Sequence, residues 1–451
     1  MLVSILSWLK ALVHFWPLSK LKSVLHELKS ISLHSKSKND ITDLPQDCGR
    51  RLIVRIIDDH ARNNPQGTFC CMPRTDDLKD GFDDISWGQL ANAINRVAWL
   101  IEENLGRSDS FESIAYFGPP DIRYAIVAVA AQKTGHKALF SWILNDIETH
   151  LHLLEKSNCK FMMTPAAHDD FINDIAAKRQ MKHLIIPTLP SLLNSSLVAH
   201  QYPYTKTFSQ ARNDPFATFH TSGSTGFPKL VDSTHGSMAA CDAFQLAPTS
   251  PTSTPSIADI YKGRRVFAGI PPIRAAGMFQ MLTMPAFYNS VAIIGPATLP
   301  TPAIVDAVHR YGKPDITILR PDYLAALAEV PAQFARLADM QFVLAAGYAL
   351  PRELGDRIAR VTSVGTYLGS TETLLVSLEV PAPAPYDGRR DGGDGGGEEG
   401  GTGNTAPSTR TWACSSGTTT PICTNSYSCA QNAVNPTKLC STRSHICAST
   451  R

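Results

Sequence analysis

Residues 221 to 229, Thr-Ser-Gly-Ser-Thr-Gly-Phe-Pro-Lys, bring four hydroxyls, two glycines and a lysine together. Glycines let a backbone turn its N–H groups toward an anion, because they tolerate positive φ and carry no side chain to clash. The hydroxyls of Ser222, Ser224 and Thr225 can donate to phosphate oxygens, and Lys229 adds a point charge. An ordinary Gly/Ser hairpin is the alternative. The spacing is not that of P-loop kinases and ATPases, since Leu230 rather than a hydroxyl residue follows Lys229 and no Walker-B pattern accompanies it. Further along, "YLGSTET" sets Thr371 beside Glu372. A carboxylate suits Mg²⁺, a hard ion that takes oxygen ligands and bridges phosphates; a solvated loop acid is the alternative. His220 immediately precedes the glycine loop and could face either an acid pocket or the core, while His235 follows the next strand.

Short apolar runs alternating with helical patterns must position these groups. "FATFH" (216–220) and "LVDSTH" (230–235) read as strands on either side of the loop, and "GSMAACDAFQ" opens a helix. "SIAYFG", "KFMMT", "HLIIP" and "VAIIGP" are bounded by turn residues and fit buried parallel strands. "LIVRIIDDHARNNP" and "SWGQLANAINRVAWLIEENLG" carry helical apolar faces, the second ending at Gly106. "RYAIVAVAAQKTG" reads as a buried helix ending at Gly135. This alternation predicts an α/β fold with parallel sheets flanked by helices over residues 51–380.

The flanks differ. Residues 1–50 read as an amphipathic leader and a polar linker; Lys10 interrupts the apolar run, and neither a signal peptide nor a membrane span fits it. Residues 381–451 are rich in Gly, Ser, Thr and Pro without apolar periodicity, and are expected to be a disordered, low-complexity tail. The composition, 43% hydrophobic and 18% charged with a net charge of +2, suits a globular chain and offers no basic stripe for nucleic acid. The ten cysteines show no C-x-x-C pair, so a reducing, cytoplasmic setting is expected, without membrane association.

The full string from 218 to 237, "TFHTSGSTGFPKLVDSTHGS", resembles the signature loop of the adenylate-forming superfamily: acyl-CoA synthetases, luciferases and the adenylation domains of non-ribosomal peptide synthetases (NRPS). Other stretches follow the family's order. "AAQKTGHKALF" (130–140) looks like its early K-x-G segment, and "GIPPIRAAGM" (269–278) like the P-x-F-H-x-x-G stretch at the acid pocket. "FVLAAGYALPRELGDRI" (342–358) looks like the segment lining the adenine, and "TYLGSTET" (366–373) like the aromatic-G-x-T-E motif. The opening is most similar to fungal NRPS-like enzymes, and the resemblance covers roughly 51–380.

The resemblance implies ATP-dependent activation of a carboxylic acid as an acyl-adenylate, followed by transfer to a thiol of phosphopantetheine or CoA. A carrier domain on another chain is an implied partner. Thr221, Ser222, Gly223, Ser224, Thr225, Gly226 and Lys229 would hold the β- and γ-phosphates of ATP; Glu372 would bind Mg²⁺, with Thr371 on the α-phosphate. Gly347 and Tyr348 would border the adenine and Leu368 would pack on its face; His220, His235, Arg274 and Gly277 would face the small carboxylic acid, with a structural role for His235 and a surface-facing Arg274 as the alternatives. Ile273-Arg274 replaces the usual F-H, and no aspartate stands there to hold an α-amino group. An aryl or other non-amino acid is therefore expected. The family's Y-x-T-G-D aspartate, hinge and C-terminal-lobe lysine are not found after Glu372; Lys438 lacks the glycine that precedes the family's lysine. A small C-terminal lobe is thus expected to be missing, with a frameshift, a missed intron or a premature end near residue 380 as the explanation. The competing reading is a catalytically incomplete remnant that binds nucleotide or serves only as a binding partner.

Overall fold

A computed structural model describes residues 44–142, 144–165, 170–221, 226–246 and 255–379, all within one unit, Met1–Tyr386. Most of the expected leader and all of the expected tail, 381–451, lie outside the described residues, as do Ser222, Gly223, Ser224 and Thr225 of the glycine loop.

The ordered chain opens with helix α1 (Ile53–Asn63), whose Ile53, Val54, Ile56 and Ile57 turn one apolar face inward. Strands β1 (Thr68–Pro73) and β2 (Phe82–Ser86) follow as an antiparallel pair. Helix α2 (Trp87–Leu105) starts at a capping box, in which Ser86 and Gln89 satisfy each other's backbone N–H groups, and it stops at Gly106. Helix α3 (Arg123–Lys133) is buried on every side, as its uniformly apolar "YAIVAVAA" run requires. It packs on the second sheet, while α2, lying against it, packs on β1 and β2; the two helices form the layer between the sheets.

That second sheet has six strands: β3 (Ser113–Tyr116), β4 (Lys137–Phe140), β5 (Phe161–Thr164), β6 (Lys182–Ile185), β7 (Pro215–His220) and β8 (Leu230–Thr234). Their order is β6-β5-β3-β4-β7-β8, parallel except for β8. Helix α4 (Ile147–Lys156) follows β4, and helix α5 (His235–Ala243) follows β8. The chain then returns to the first sheet with β9 (Arg265–Ala268), β10 (Val291–Ile293), β11 (Ile316–Leu319), β12 (Phe342–Ala345), β13 (Ser363–Ser370) and β14 (Leu374–Glu379). Its order is β14-β13-β12-β11-β9-β10-β1-β2, with six parallel strands between antiparallel edges. The expected architecture of parallel sheets flanked by helices is the observed one.

The three helices α1, α2 and α3 are stitched by a buried lysine. Lys133 Nζ donates to Asp58 Oδ1 at 2.7 Å, to Asp58 Oδ2 at 2.9 Å and to Asn95 Oδ1 at 2.9 Å. Burial pushes the Lys133 pKa down, and the Asp58 carboxylate opposes that push. Among the described residues no helix is long and apolar enough to cross a membrane.

Candidate active site at the carboxyl ends of the strands

In open parallel sheets the loops that leave the carboxyl ends of the strands converge, and ligands bind there. Here those loops carry most of the residues singled out by type, together with Arg320, which was not. Thr221 leaves β7, Arg274 lies beyond β9, and Arg320 leaves β11. Gly347 and Tyr348 leave β12, and Thr371 and Glu372 form the turn between β13 and β14.

The glycine loop is held at both stems. Thr221 N–H donates to the Lys229 carbonyl at 3.0 Å, and Lys229 N–H donates to Thr221 Oγ1 at 3.2 Å. Phe227, on the descending limb, stacks on His152 of α4 with centroids 4.3 Å apart. Gly226 and Lys229 are exposed, so the charge faces outward from the loop.

His220 locks the loop's ascending stem to the end of β4. Trp142 N–H donates to its Nε2 at 2.9 Å, so the ring proton sits on Nδ1, which donates to the Thr221 carbonyl at 2.9 Å. Burial, assisted by Arg274, holds this histidine below the usual imidazole range. Both ring nitrogens are committed to the protein, which makes His220 a support of the loop. His235 lies elsewhere. The antiparallel register of β7 and β8 pairs Pro215 with Thr234, so His235 sits at the opposite end of the hairpin from the loop. It is buried, its Nε2 faces Gln132 Oε1 at 2.9 Å, and burial pushes its pKa down to about 4. The expectation that His235 faces the substrate is corrected: it is a core histidine in the first turn of α5, a helix capped by Thr234.

Arg274 joins the two sheets at this end. Its guanidinium lies 4.4 Å from the Trp142 ring centroid, a cation–π contact between the loop after β9 and the loop after β4. The same side chain helps line a cavity of about 250 Å³ that Gly347, Tyr367, Ser370 and Thr371 also line. Ile270, Phe279, Ile318, Leu374 and Leu375 make much of its wall apolar, and no Asp or Glu lines it among the described residues. Gly277 lines a smaller adjoining cavity instead. A Cβ there would lie 2.0 Å from the Pro271 carbonyl oxygen, so this glycine permits a close backbone approach that shapes the loop after β9.

On the far rim, Arg320 and Asp322 form a bidentate pair with contacts of 2.9 and 2.5 Å, and Tyr348 O–H donates to Asp322 Oδ1 at 3.2 Å. Gly347 adopts φ +102°, a conformation open to glycine, and its backbone passes over the Arg320 side chain. Tyr348 and Leu368 are 52% and 61% exposed, leaving two apolar faces at the cleft mouth. Glu372 is exposed and makes no hydrogen bond or ion pair among the described residues.

Four participants were not singled out by sequence: Trp142, Gln280, Arg320 and Asp322. Gln280 had a signal, as the polar residue within the apolar run "GMFQMLTMPAFY". Trp142 and the Arg320–Asp322 pair had none, because their roles depend on which strand ends become neighbours.

Comparison with known proteins agrees with this geometry. The family model "AMP-binding enzyme" matches residues 57–394. An isocyanide synthase–NRPS hybrid of Aspergillus fumigatus is 32% identical over 338 residues, covering 74% of this chain and 22% of that protein. A carboxylic acid reductase of Neurospora crassa is 32% identical over 316 residues, covering 69% of this chain and 30% of that protein. The chain thus spans less than a third of the length of these relatives. In fold, it matches the N-terminal subdomain of Klebsiella oxytoca NpsA in complex with 3-hydroxyanthranilyl-AMSN, with a TM-score of 0.58 and 17% identity over 75% of this chain and 79% of that one. With the family model covering most of the described fold, the chain belongs to the AMP-binding enzyme family.

Proposed function

We propose that this chain activates a carboxylic acid, aryl or otherwise lacking an α-amino group, as an acyl-adenylate formed from ATP. The observation that carries the reading is the Arg274–Trp142 contact, which sets an apolar, carboxylate-free cavity beside the stem of the glycine loop. Family membership and the names of relatives that act as carboxylic acid reductase or NRPS hybrid are in keeping with it.

In the reaction a carboxylate oxygen attacks the α-phosphorus, the bond to the bridging oxygen breaks, and pyrophosphate leaves. An anion attacking a polyanion needs charge neutralisation and alignment more than a base. Lys229 and the hydroxyls of the 221–229 loop would hold the β- and γ-phosphates, and Thr371 the α-phosphate. Gly347, Tyr348 and Leu368 would receive the adenine at the rim. Arg274 lies between loop and cavity, where a guanidinium would draw the acid's carboxylate toward the phosphates.

Glu372 fits a magnesium ion: it is an exposed carboxylate with no protein partner among the described residues, at the turn beside Thr371. No cluster of three or more metal-ligating side chains occurs among the described residues, so the ion would take most of its oxygens from phosphates and water, as Mg²⁺ commonly does. When bound, it would supply charge neutralisation along the phosphate chain. The acyl group would then pass to a thiol, phosphopantetheine or CoA, with a carrier domain on another chain as a partner. Acid-dependent exchange of pyrophosphate into ATP, run over a panel of aryl and alkyl acids, tests the reading. Exchange with at least one non-amino acid supports it; nucleotide binding without exchange for any acid overturns it.

A further inference from the structure

The cavity behind Arg274 and Thr371 adjoins the smaller one lined by Gly277, and Gln280 forms part of the wall of both. Gln280 lies on a π-helical turn, Phe279–Thr283, inside the helical run from Ala275 to Tyr288. Such turns interrupt regular helix geometry and recur at functional sites. The side chain is 6% exposed.

Its orientation is set from below. Tyr261 O–H donates to Gln280 Oε1 at 3.0 Å, and the Tyr261 hydroxyl also meets the hydroxyl of Tyr367. With the Tyr261 proton committed to Gln280, Tyr367 is the donor in the second bond. The amide oxygen is therefore turned toward Tyr261, and Nε2 points the other way with two protons to donate. Nε2 makes no hydrogen bond among the described residues. Among the described residues, the fully enclosed side-chain polar atoms without a partner are Tyr116 Oη, His150 Nε2, Ser290 Oγ and His309 Nδ1. Gln280 Nε2 is not one of them, so it opens onto the cavities that its side chain lines.

The wall is largely apolar, with the Tyr367, Ser370 and Thr371 hydroxyls and the Arg274 and Arg320 guanidiniums as its other polar groups. A donor turned into such a wall gains free energy when a ligand accepts from it. The wall supplies no carboxylate among the described residues, and Arg274 and Arg320 are donors only. The complementary ligand is one that brings an acceptor oxygen. We propose that Gln280 reads a hydroxyl or oxo oxygen on the body of the acid, so that the substrates are oxygen-substituted aryl acids rather than plain hydrocarbon acids or amines. Gln280 is then a specificity residue, and Tyr261 and Tyr367 are positioning residues that hold its amide. This inference rests on the acid-activating reading above and refines it.

The test pairs equilibrium binding with turnover. Benzoate and its three monohydroxy isomers are titrated calorimetrically into the full chain, and the same acids are assayed for pyrophosphate exchange. At least one hydroxy isomer should bind about tenfold tighter than benzoate, the size expected of one well-placed hydrogen bond. Gln280→Met, which keeps length but has no donor, should bring that ratio to within about twofold, and Gln280→Glu, which replaces donor by acceptor, should bring it to one or below. Tyr261→Phe should lower the ratio while leaving Gln280 in place. Equal binding of benzoate and every isomer by the unaltered chain overturns the inference, as does a preference that survives in both Gln280 variants with unchanged melting temperatures. Preferential binding without exchange would sink the catalytic reading and leave this inference standing. Exchange without preference would do the reverse, and no binding of any of the four acids would count against both.

Discussion

Lys229 is the residue whose role follows most simply from charge. It stands exposed at the foot of the glycine loop, and its backbone N–H rather than its ammonium ties it to Thr221. Lys229→Ala is therefore expected to leave the hairpin folded and to weaken ATP binding about tenfold, read by nucleotide titration at low salt. Unchanged affinity would count against the phosphate role. Glu372→Gln keeps shape and removes charge. Exchange activity should fall by about 10²-fold or more, with the apparent Mg²⁺ requirement raised, and equal activity in both forms would remove the metal assignment. At this scale the sequence was legible in placement where a short string stays together, as Thr371 and Glu372 do at the turn between β13 and β14; the hydroxyls of Ser222, Ser224 and Thr225 lie outside the described residues. It was not legible for His220 and His235. Their types are the same and each ends or follows a strand, yet the register of β7 against β8 sends one to the loop and the other to the core.

Elements were legible from periodicity. The uniformly apolar run of α3 marked a buried helix, and the four short apolar runs became strands of the two sheets. What could not be read was which elements meet, because β1 pairs with β10 only after the whole six-stranded sheet has intervened in the chain. Lys133 shows the cost of that gap. It sits in the "AAQKTGHKALF" segment quoted for its family resemblance, and the structure gives it the task of joining α1, α2 and α3 through Asp58 and Asn95. Removing one partner of a buried pair leaves the other uncompensated. Lys133→Ala should thus cost about 3–5 kcal/mol in urea unfolding, and Asp58→Leu with Lys133→Met should recover much of it. Gly277→Ala should cost about 2–3 kcal/mol, since a methyl there meets backbone oxygens of both Pro271 and Ile270. A thermal midpoint unchanged by that substitution would contradict the close approach.

For the molecule as a whole, buried histidines set the acid limit of stability. His150, His235 and His309 are each pushed by burial down to about 4. An unfolded histidine titrates near 6.5, so the unfolded chain takes up these protons first as pH falls. Stability should be complete above about pH 6.5 and decline toward pH 4, by on the order of 2–3 kcal/mol for each histidine. Urea midpoints that stay constant from pH 7.5 to 4.5 would contradict this. The two sheets, joined at their carboxyl ends by Arg274 and Trp142, form one cleft with the stems of the glycine loop on one side and a largely apolar cavity on the other. The claim that this cleft condenses a carboxylic acid with ATP is tested most directly by acid-dependent ATP–pyrophosphate exchange. Exchange that requires a non-amino carboxylic acid and Mg²⁺, and that is lost in Glu372→Gln, is the expected result; ATP binding with no exchange for any acid would contradict it.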